Sequence, residues 1–453
     1  MSHLFLQARI INPEQQLDTT GSIRVGADGR IETLVFGSIP EPLPGERVID
    51  MSGKVIAPGF FDMHCHFREP GQEYKETLAS GAAAAAAGGY TGVALMPNTR
   101  PAMDSPLGIT YLLHHGARLP VDLAIIGAMT LGSKGEQLAP FGTYVEYGLT
   151  AISDDGGAIQ SSQNMRLAFE YAASYDLLLI QHCEDRSLTL GGIMNEGEYA
   201  TRLGLKGIPD ISESLMLSRD LQLLRFLETH KLHAPLNRPR YHVAHISTKE
   251  SVELVRQAKQ EGLLVSCEVT PHHFTLCDAD LFEAPAKGNY IMKPPLASRE
   301  SLEAIREAIA DGTIDAIATD HAPHAIHEKE CPPDQAAFGI IGLETAFGLT
   351  MTQLVEPGLI TLSKAVELLA TAPRTLLRRD PVRFSVGAEA NFALLDPEAT
   401  WLAEPSRFRS KSSNSPFIGT TLKGKVLGTF FHGALHLNDW GAETAAGCSG
   451  KYA

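Results

Sequence analysis

Between Pro58 and His324 the chain repeats one pattern: a short run of apolar and β-branched residues that closes on polar ones, then a stretch of helical character. Eight such runs stand out: "GFFDMHCH", "GVALMPN", "LAIIGAMT", "LTAISDD", "LLLIQHCED", "YHVAHIS", "LLVSCEVT" and "IDAIATDHAPH". Nearly every position before the polar close is apolar. A half-exposed sheet would alternate with period two, so these strands must be covered on both faces, as they are where helices pack on a parallel sheet. Eight strands alternating with helices predict a (β/α)₈ TIM barrel. The helical links include Ala79 to Ala87, closed by Gly88 and Gly89, and Ser214 to His230, in which Leu215, Leu217, Leu221, Leu224 and Leu227 supply an apolar face. A doubly wound sheet is the alternative architecture, but its glycine-rich phosphate fingerprint is missing.

The flanks follow a different rhythm. Before Pro58, "GSIRVGADGRIETLVFG" predicts two short strands around an Asp28-Gly29 turn, and beyond about Ser385 "NFALLDPEA" and "GKVLGTFFHGALHL" are again strand-like. Neither flank is large enough to hold a core alone. The expected organisation is therefore α/β: residues 58–384 form the barrel, and residues 1–57 and 385–453 combine into one small β domain.

Composition narrows the function. The 453 residues are 44% hydrophobic and 20% charged, which describes a globular chain. A formal net charge of -15 argues against nucleic acid or an anionic membrane surface as partner and leaves a small anionic substrate open, since a few local cations can outweigh the global charge. No apolar run reaches a membrane span, and the opening "MSHLFLQARIINPEQQ" has no signal-peptide pattern, so the expected compartment is cytoplasmic. Cys65, Cys183, Cys267, Cys277, Cys331 and Cys448 are scattered and form no C-x-x-C pair, which predicts free thiols.

In such a barrel the C-terminal strand ends converge on one mouth, so the polar close of each run is where chemistry belongs. The first run ends in His64 and His66, the fourth in Asp154 and Asp155, the fifth in His182, the sixth in His245, and the eighth in Asp320, His321 and His324. Residues i and i+2 of a strand share a face, so His64 and His66 present two imidazoles to one place. Each residue alone has a bland explanation: a turn for Asp154-Asp155, satisfied core histidines for His182 and His245, a helix cap for Asp320. Their joint placement at successive strand ends points instead to a binuclear metal site with a bridging carboxylate. Such a site supplies hydroxide at neutral pH and polarises a carbonyl, which suits hydrolysis of an amide-like bond, with Asp320 as proton carrier. Cys65 and Cys183 neighbour proposed ligands but alternate onto the opposite face, which predicts packing roles.

These residues resemble the cyclic amidohydrolase superfamily, and within it the dihydroorotases that use an aspartate where relatives use a carboxylated lysine. The likeness runs through "PGFFDMHCHFREPG", "ALMPNTRP", "SDDGG", "QHCEDRSL", "YHVAHISTKESV", "EVTPHH", "ATDHAPH", "FGIIGLETAFGL" and "SKSSNSPFIG". No lysine occurs in "YVEYGLTAISDDGG", which disfavours hydantoinases and many allantoinases. The resemblance implies a zinc hydrolase of pyrimidine biosynthesis, with two Zn2+ per subunit, that interconverts N-carbamoyl-L-aspartate and L-dihydroorotate. It assigns His64 and His66 to the first metal, His182 and His245 to the second, Asp155 to the bridge, and Asp320 to metal binding and acid/base catalysis. Spacing alone does not choose between Asp154 and Asp155. His66, Arg68, Asn98, His324 and the backbone around Phe338 and Gly339 become the substrate site, with Arg68 and Asn98 on the carboxylate. The residues 325–337 then read as a long loop after strand eight that serves as a lid.

One departure stands out. Where the family usually reads asparagine-Pro-Pro-Leu-Arg, this chain has Lys293-Pro294-Pro295-Leu296-Ala297, and Lys293 is expected to contact a substrate carboxylate or ring carbonyl unless it lies on the surface. Alternatives are a hydantoinase-like or allantoinase-like enzyme, or a non-catalytic barrel serving aspartate transcarbamoylase as a structural subunit. The full ligand set weighs against the last. A homodimer, with aspartate transcarbamoylase as a possible partner, completes the expectation.

Overall fold

The computed structural model describes residues 1–230 and 237–439. Cys448 and the last part of the C-terminal flank lie outside the described residues. The barrel strands are β1 (Phe60–Cys65), β2 (Tyr90–Leu95), β3 (Asp122–Ile125, resuming at Gly127–Ala128), β4 (Ala151–Ser153), β5 (Leu178–Gln181), β6 (Arg240–Val243), β7 (Val265–Val269) and β8 (Ala316–Ile317). Every neighbouring pair is parallel. The ring closes where Cys65 bridges His321 and the His66 N–H donates to the His321 carbonyl at 2.9 Å.

Two details differ from the apolar runs. Strand β3 breaks at Ile126, so its first half pairs with β2 and its second with β4. Strand β8 has a much shorter ladder than its run implied. Just past it, the Thr319 N–H and hydroxyl both turn onto the Asp62 carboxylate, and Asp320 then adopts φ 45°. Asp320, His245 (φ 31°) and Arg68 (φ 61°) all hold left-handed backbone at strand ends, conformations that persist when surrounding contacts impose them.

The helix Leu78–Ala87 starts on a Thr77/Ser80 capping box and lies against β2. Its one glycine has a reason: a Cβ on Gly81 would stand 2.5 Å from the Phe67 ring, next in sequence to His66. In the helix Ile211–His230, Leu217, Leu221, Leu224 and Leu227 are buried, but Leu215 is 47% exposed. It lies roughly 160° around the helix from Leu217, so it belongs to the solvent face.

Strands from both chain ends share one sheet. Thr421–Phe431 lies between Ala434–Leu437 and Phe392–Leu402, which pairs with Val55–Pro58; then follow His3–Asn12, Leu17–Val25 and Ile31–Phe36, with Arg47–Asp50 also on His3–Asn12. Phe5, Phe392 and Phe430 interlock at its centre, with ring centroids 5.1 Å and 5.4 Å apart for the first and second pairs. Val55–Pro58 runs through Gly59 straight into β1, so the small domain and the histidine-bearing strand are one continuous stretch. No helix among the described residues is long and apolar enough to cross a membrane.

The residues 325–337 are not a bare loop. They contain the turns Ile326–Lys329 and Pro333–Gln335, because buried Lys329 organises them: its ammonium donates to the carbonyls of Ile291 (3.0 Å), Ala337 (2.7 Å) and Gly339 (2.9 Å).

Candidate functional site

The strand ends bring His64, His66, Asp155, His182, His245 and Asp320 together at one mouth of the barrel, all buried. Asp155 is the common member. Its Oδ1 lies 3.4 Å from His64 Nε2, 3.4 Å from His245 Nε2 and 3.6 Å from His182 Nδ1, and its Oδ2 lies 3.4 Å from His66 Nε2. Two sets of ligand atoms result, one from His64, His66 and Asp155 and one from Asp155, His182 and His245, each within 4.8 Å of one another. Asp154 is committed elsewhere: it accepts from the Thr130 N–H at 3.0 Å and from the Thr130 hydroxyl. Of the two aspartates, Asp155 is the one that faces the histidines. Asp320 Oδ1 stands 2.9 Å from His66 Nε2 and 3.7 Å from His64 Nε2, beside the first set.

Three of the four imidazoles are aimed by a partner on the far nitrogen; His245 Nδ1 is buried without one. His64 Nδ1 meets Glu268 at 2.6 Å, His66 Nδ1 meets the Asn98 side-chain oxygen at 2.8 Å, and His182 Nε2 lies 3.4 Å from Glu184. Such partners fix ring orientation and tautomer at metal sites. Sequence reasoning passed over Glu268 and Glu184. The signals were there: Glu268 is a lone acid inside an apolar run, and Glu184 stands two residues from His182.

Electrostatics match a cation site. Burial pushes the Asp155 carboxyl up, but His64, His182 and His245 outweigh it and hold it well below the usual carboxylate range. Burial likewise works against the His182 imidazolium, yet Asp155 and Glu184 raise it to about 9. The carboxylates demand positive charge here, which imidazolium protons or a divalent ion can supply; only the second leaves the rings neutral, as ligands must be. The donor chemistry fits such an ion, and two buried atoms aimed into the cluster, His64 Nε2 and Asp155 Oδ1, have no hydrogen-bond partner.

A cavity of about 450 Å³ opens over the cluster, lined among others by Arg68, Asn98, Lys293, Phe338 and Gly339. The Arg68 Nε donates to the Pro323 carbonyl at 3.1 Å, which holds the guanidinium in place. Gly339 has φ 133°, and a Cβ there would meet the Ala322 Cβ at 2.6 Å, so only glycine fits. His324 is used on both nitrogens: Nε2 donates to the Phe338 carbonyl at 2.8 Å, and Nδ1 accepts from Lys75 at 3.1 Å. Lys293 does not reach out as a free cation. Its ammonium donates to Glu184 Oε1 at 2.5 Å and sits 5.0 Å over the Phe338 ring. Asn414 ties the C-terminal segment to this wall, donating to the Ala322 (3.1 Å) and Gly339 (3.0 Å) carbonyls and accepting the His324 N–H (3.1 Å).

Cys65 and Cys183 face away from the cluster: the Cys65 thiol donates to the Ala94 carbonyl at 3.3 Å and the Cys183 thiol contacts the Tyr241 hydroxyl at 3.4 Å. All five described cysteines are free.

Comparison with known proteins agrees with this geometry. A family model described as dihydro-orotase-like matches residues 53–251. A dihydroorotase of Chlorobaculum tepidum is 62% identical over 96% of this chain and 99% of its own length. One of Solibacter usitatus is 44% identical over 94% and 96%. Among solved structures, an L-hydantoinase (dihydropyrimidinase) of Arthrobacter aurescens superposes with TM-score 0.79 over 96% of this chain and 95% of its own at 23% identity, a likeness of fold. A TIM-barrel fold, a cluster of histidines and aspartates that could hold metal and near-complete alignment with curated relatives converge: the chain belongs to the dihydroorotase family.

Proposed function

We propose that this chain is a dihydroorotase with two zinc ions per subunit, which reversibly closes N-carbamoyl-L-aspartate into L-dihydroorotate. The observation that carries the reading is Asp155 placed among four histidines with Asp320 alongside. His64, His66 and Asp155 would hold one ion and Asp155, His182 and His245 the other, with Asp320 at the first. Ions bound there acidify a water and polarise the ring amide carbonyl.

The protein's own groups then do the following. Asp320 takes the proton from the attacking water and delivers it to the leaving ring nitrogen; in the synthetic direction it removes that proton. Asp320 Oδ1 stands 2.9 Å from His66 Nε2, beside the first set of ligand atoms, and its carboxylate lines the cavity. The terminal nitrogens of Arg68 and the amide NH2 of Asn98, whose oxygen already faces His66, take the substrate carboxylate. Gly339 brings main chain against the ring because no side chain stands in the way. His324, committed on both nitrogens, acts on the substrate by holding Phe338 and standing beside Arg68.

The test is hydrolysis of L-dihydroorotate by protein whose bound metal is counted on the same sample, with hydantoin and allantoin in parallel. Activity on dihydroorotate alone that vanishes with a chelator supports the reading. Metal-loaded protein inactive on that ring refutes it. The proposal also includes a homodimer and an association with aspartate transcarbamoylase, both read by light scattering with and without that enzyme.

A further inference from the structure

The cluster leaves one cation without a stated task. Lys293 stands at the cavity wall with its side chain 28% exposed, and its ammonium is spent on Glu184 Oε1 at 2.5 Å. The other oxygen of that carboxylate, Oε2, lies 3.4 Å from His182 Nε2. The opposite nitrogen of the same ring, Nδ1, faces inward, 2.8 Å from His245 Nε2 and 3.6 Å from Asp155 Oδ1. Lysine, carboxylate and imidazole thus form a line that ends at the ion-binding side of the ring.

We infer that Lys293 and Glu184 are a positioning pair for His182, so that this lysine serves the metal ligand rather than the substrate carboxylate. The inference rests on the metal-centre reading above. Three observations support it. First, the charge of Lys293 is already met by a carboxylate at 2.5 Å, which weakens its pull on a substrate anion. Second, His64 has a carboxylate in the same place, but Glu268 is fully buried and flanked by His64 and His242, which immobilise it without a lysine. Glu184 lies instead on the cavity wall, where among the described residues Lys293 is the hydrogen-bond partner that restrains its Oε1, and the Phe338 ring beneath the ammonium restrains Lys293 in turn. Third, an unneutralised Glu184 would put a negative charge beside an anionic substrate.

The experiment follows the release of zinc to a chromophoric chelator from the full-length protein. It compares wild type, Lys293→Met, Lys293→Arg, Glu184→Gln and the Lys293→Met/Glu184→Gln double variant, with circular dichroism to show that each is folded. Lys293→Met and Glu184→Gln are expected to release zinc about 10- to 100-fold faster, the size of effect seen when such outer partners are removed. The double variant should be no worse than either single one, because the pair acts as a unit, and Lys293→Arg should recover most of the loss. Wild-type release rates in every folded variant, together with a raised KM for Lys293→Met alone, would overturn the inference and return Lys293 to the substrate. If wild type retains no zinc, the metal-centre reading falls first and takes this inference with it.

Discussion

Replacing Lys329 with methionine separates the cavity wall from the barrel beneath it. The side chain is 5% exposed, has no carboxylate at ion-pair distance among the described residues, and satisfies its three N–H groups on the Ile291, Ala337 and Gly339 carbonyls. Burial pushes its ammonium down to about 7, so holding a charge there is costly. Methionine fills a similar volume. Two of the three carbonyls keep a second donor: Ile291 O accepts the Gly339 N–H at 3.0 Å, and Gly339 O accepts from Asn414 at 3.0 Å. Only Ala337 O is left bare, at about 1–3 kcal/mol. The loss of charge-assisted bonds and the relief of burying an ammonium act in opposite directions, so the net cost is about 2 kcal/mol. It should fall on the local opening of residues 325–339 and not on the barrel core. Hydrogen exchange in that segment should rise about 30-fold and KM should rise with kcat nearly unchanged, while Tm falls by only about 2 °C in a chain of this size. Unchanged exchange, or a fall in Tm several times larger, would refute the reasoning by showing that Lys329 holds either nothing or the whole fold.

Other outcomes are as direct. Asp320→Asn should lower turnover about 10³-fold or more with the fold intact by circular dichroism; substantial retained activity would remove Asp320 as proton carrier. Stripping divalent metal should abolish turnover and lower Tm, with zinc restoring both, because an ion that binds the folded cluster and not the unfolded chain stabilises the fold by mass action. His324 is lowered to about 3 by burial first and then by Arg68 and Lys75. The unfolded chain therefore takes up its proton near 6.5 while the folded one does not, so this contribution to stability is complete above about 6.5 and is lost as pH falls toward 3. It follows that His324→Asn should leave the acid limb of kcat/KM between pH 5 and 8 in place; a displaced limb would show that His324 titrates there. Leu221→Ala in the buried face of the Ile211–His230 helix should cost about 3 kcal/mol in denaturant unfolding, against under about 0.5 for Leu215→Ala.

The barrel was legible because covered strands leave apolar runs, and the cluster because polar residues at the ends of those runs have one place to go. His64 and His66 announced a shared face through their spacing. What the chain hid were contacts made across long separations. Nothing near Lys329 in sequence marks Ile291 as its acceptor, and nothing near Lys293 marks Glu184, 109 residues away. Those pairings exist only once the loops after different strands are stacked on one rim. The two-residue β8 was invisible for a related reason. Side chains such as Asp62 capture the backbone of a distant strand, and pattern reading sees hydrophobicity, not that competition. Leu215 shows the opposite error: it joined the apolar face by composition, though helical geometry places it outside.

The continuity of Val55–Pro58 with β1 has a consequence for biosynthesis. That strand finds its far-side partner in Phe392–Leu402, and Lys54 and Asp396, which meet across the same seam, are 342 residues apart. On a ribosome the N-terminal half of the sheet emerges early and waits with an open edge while the entire barrel is translated. Closure of that edge is therefore a late event in the life of each new chain, and it coincides with arrival of the segment that carries Asn414 to the cavity wall. A polypeptide cut short by a premature stop before residue 392 would present a bare strand edge contiguous with its histidine-bearing strand. Quality control would meet it as an aggregation-prone species, not as a shortened enzyme.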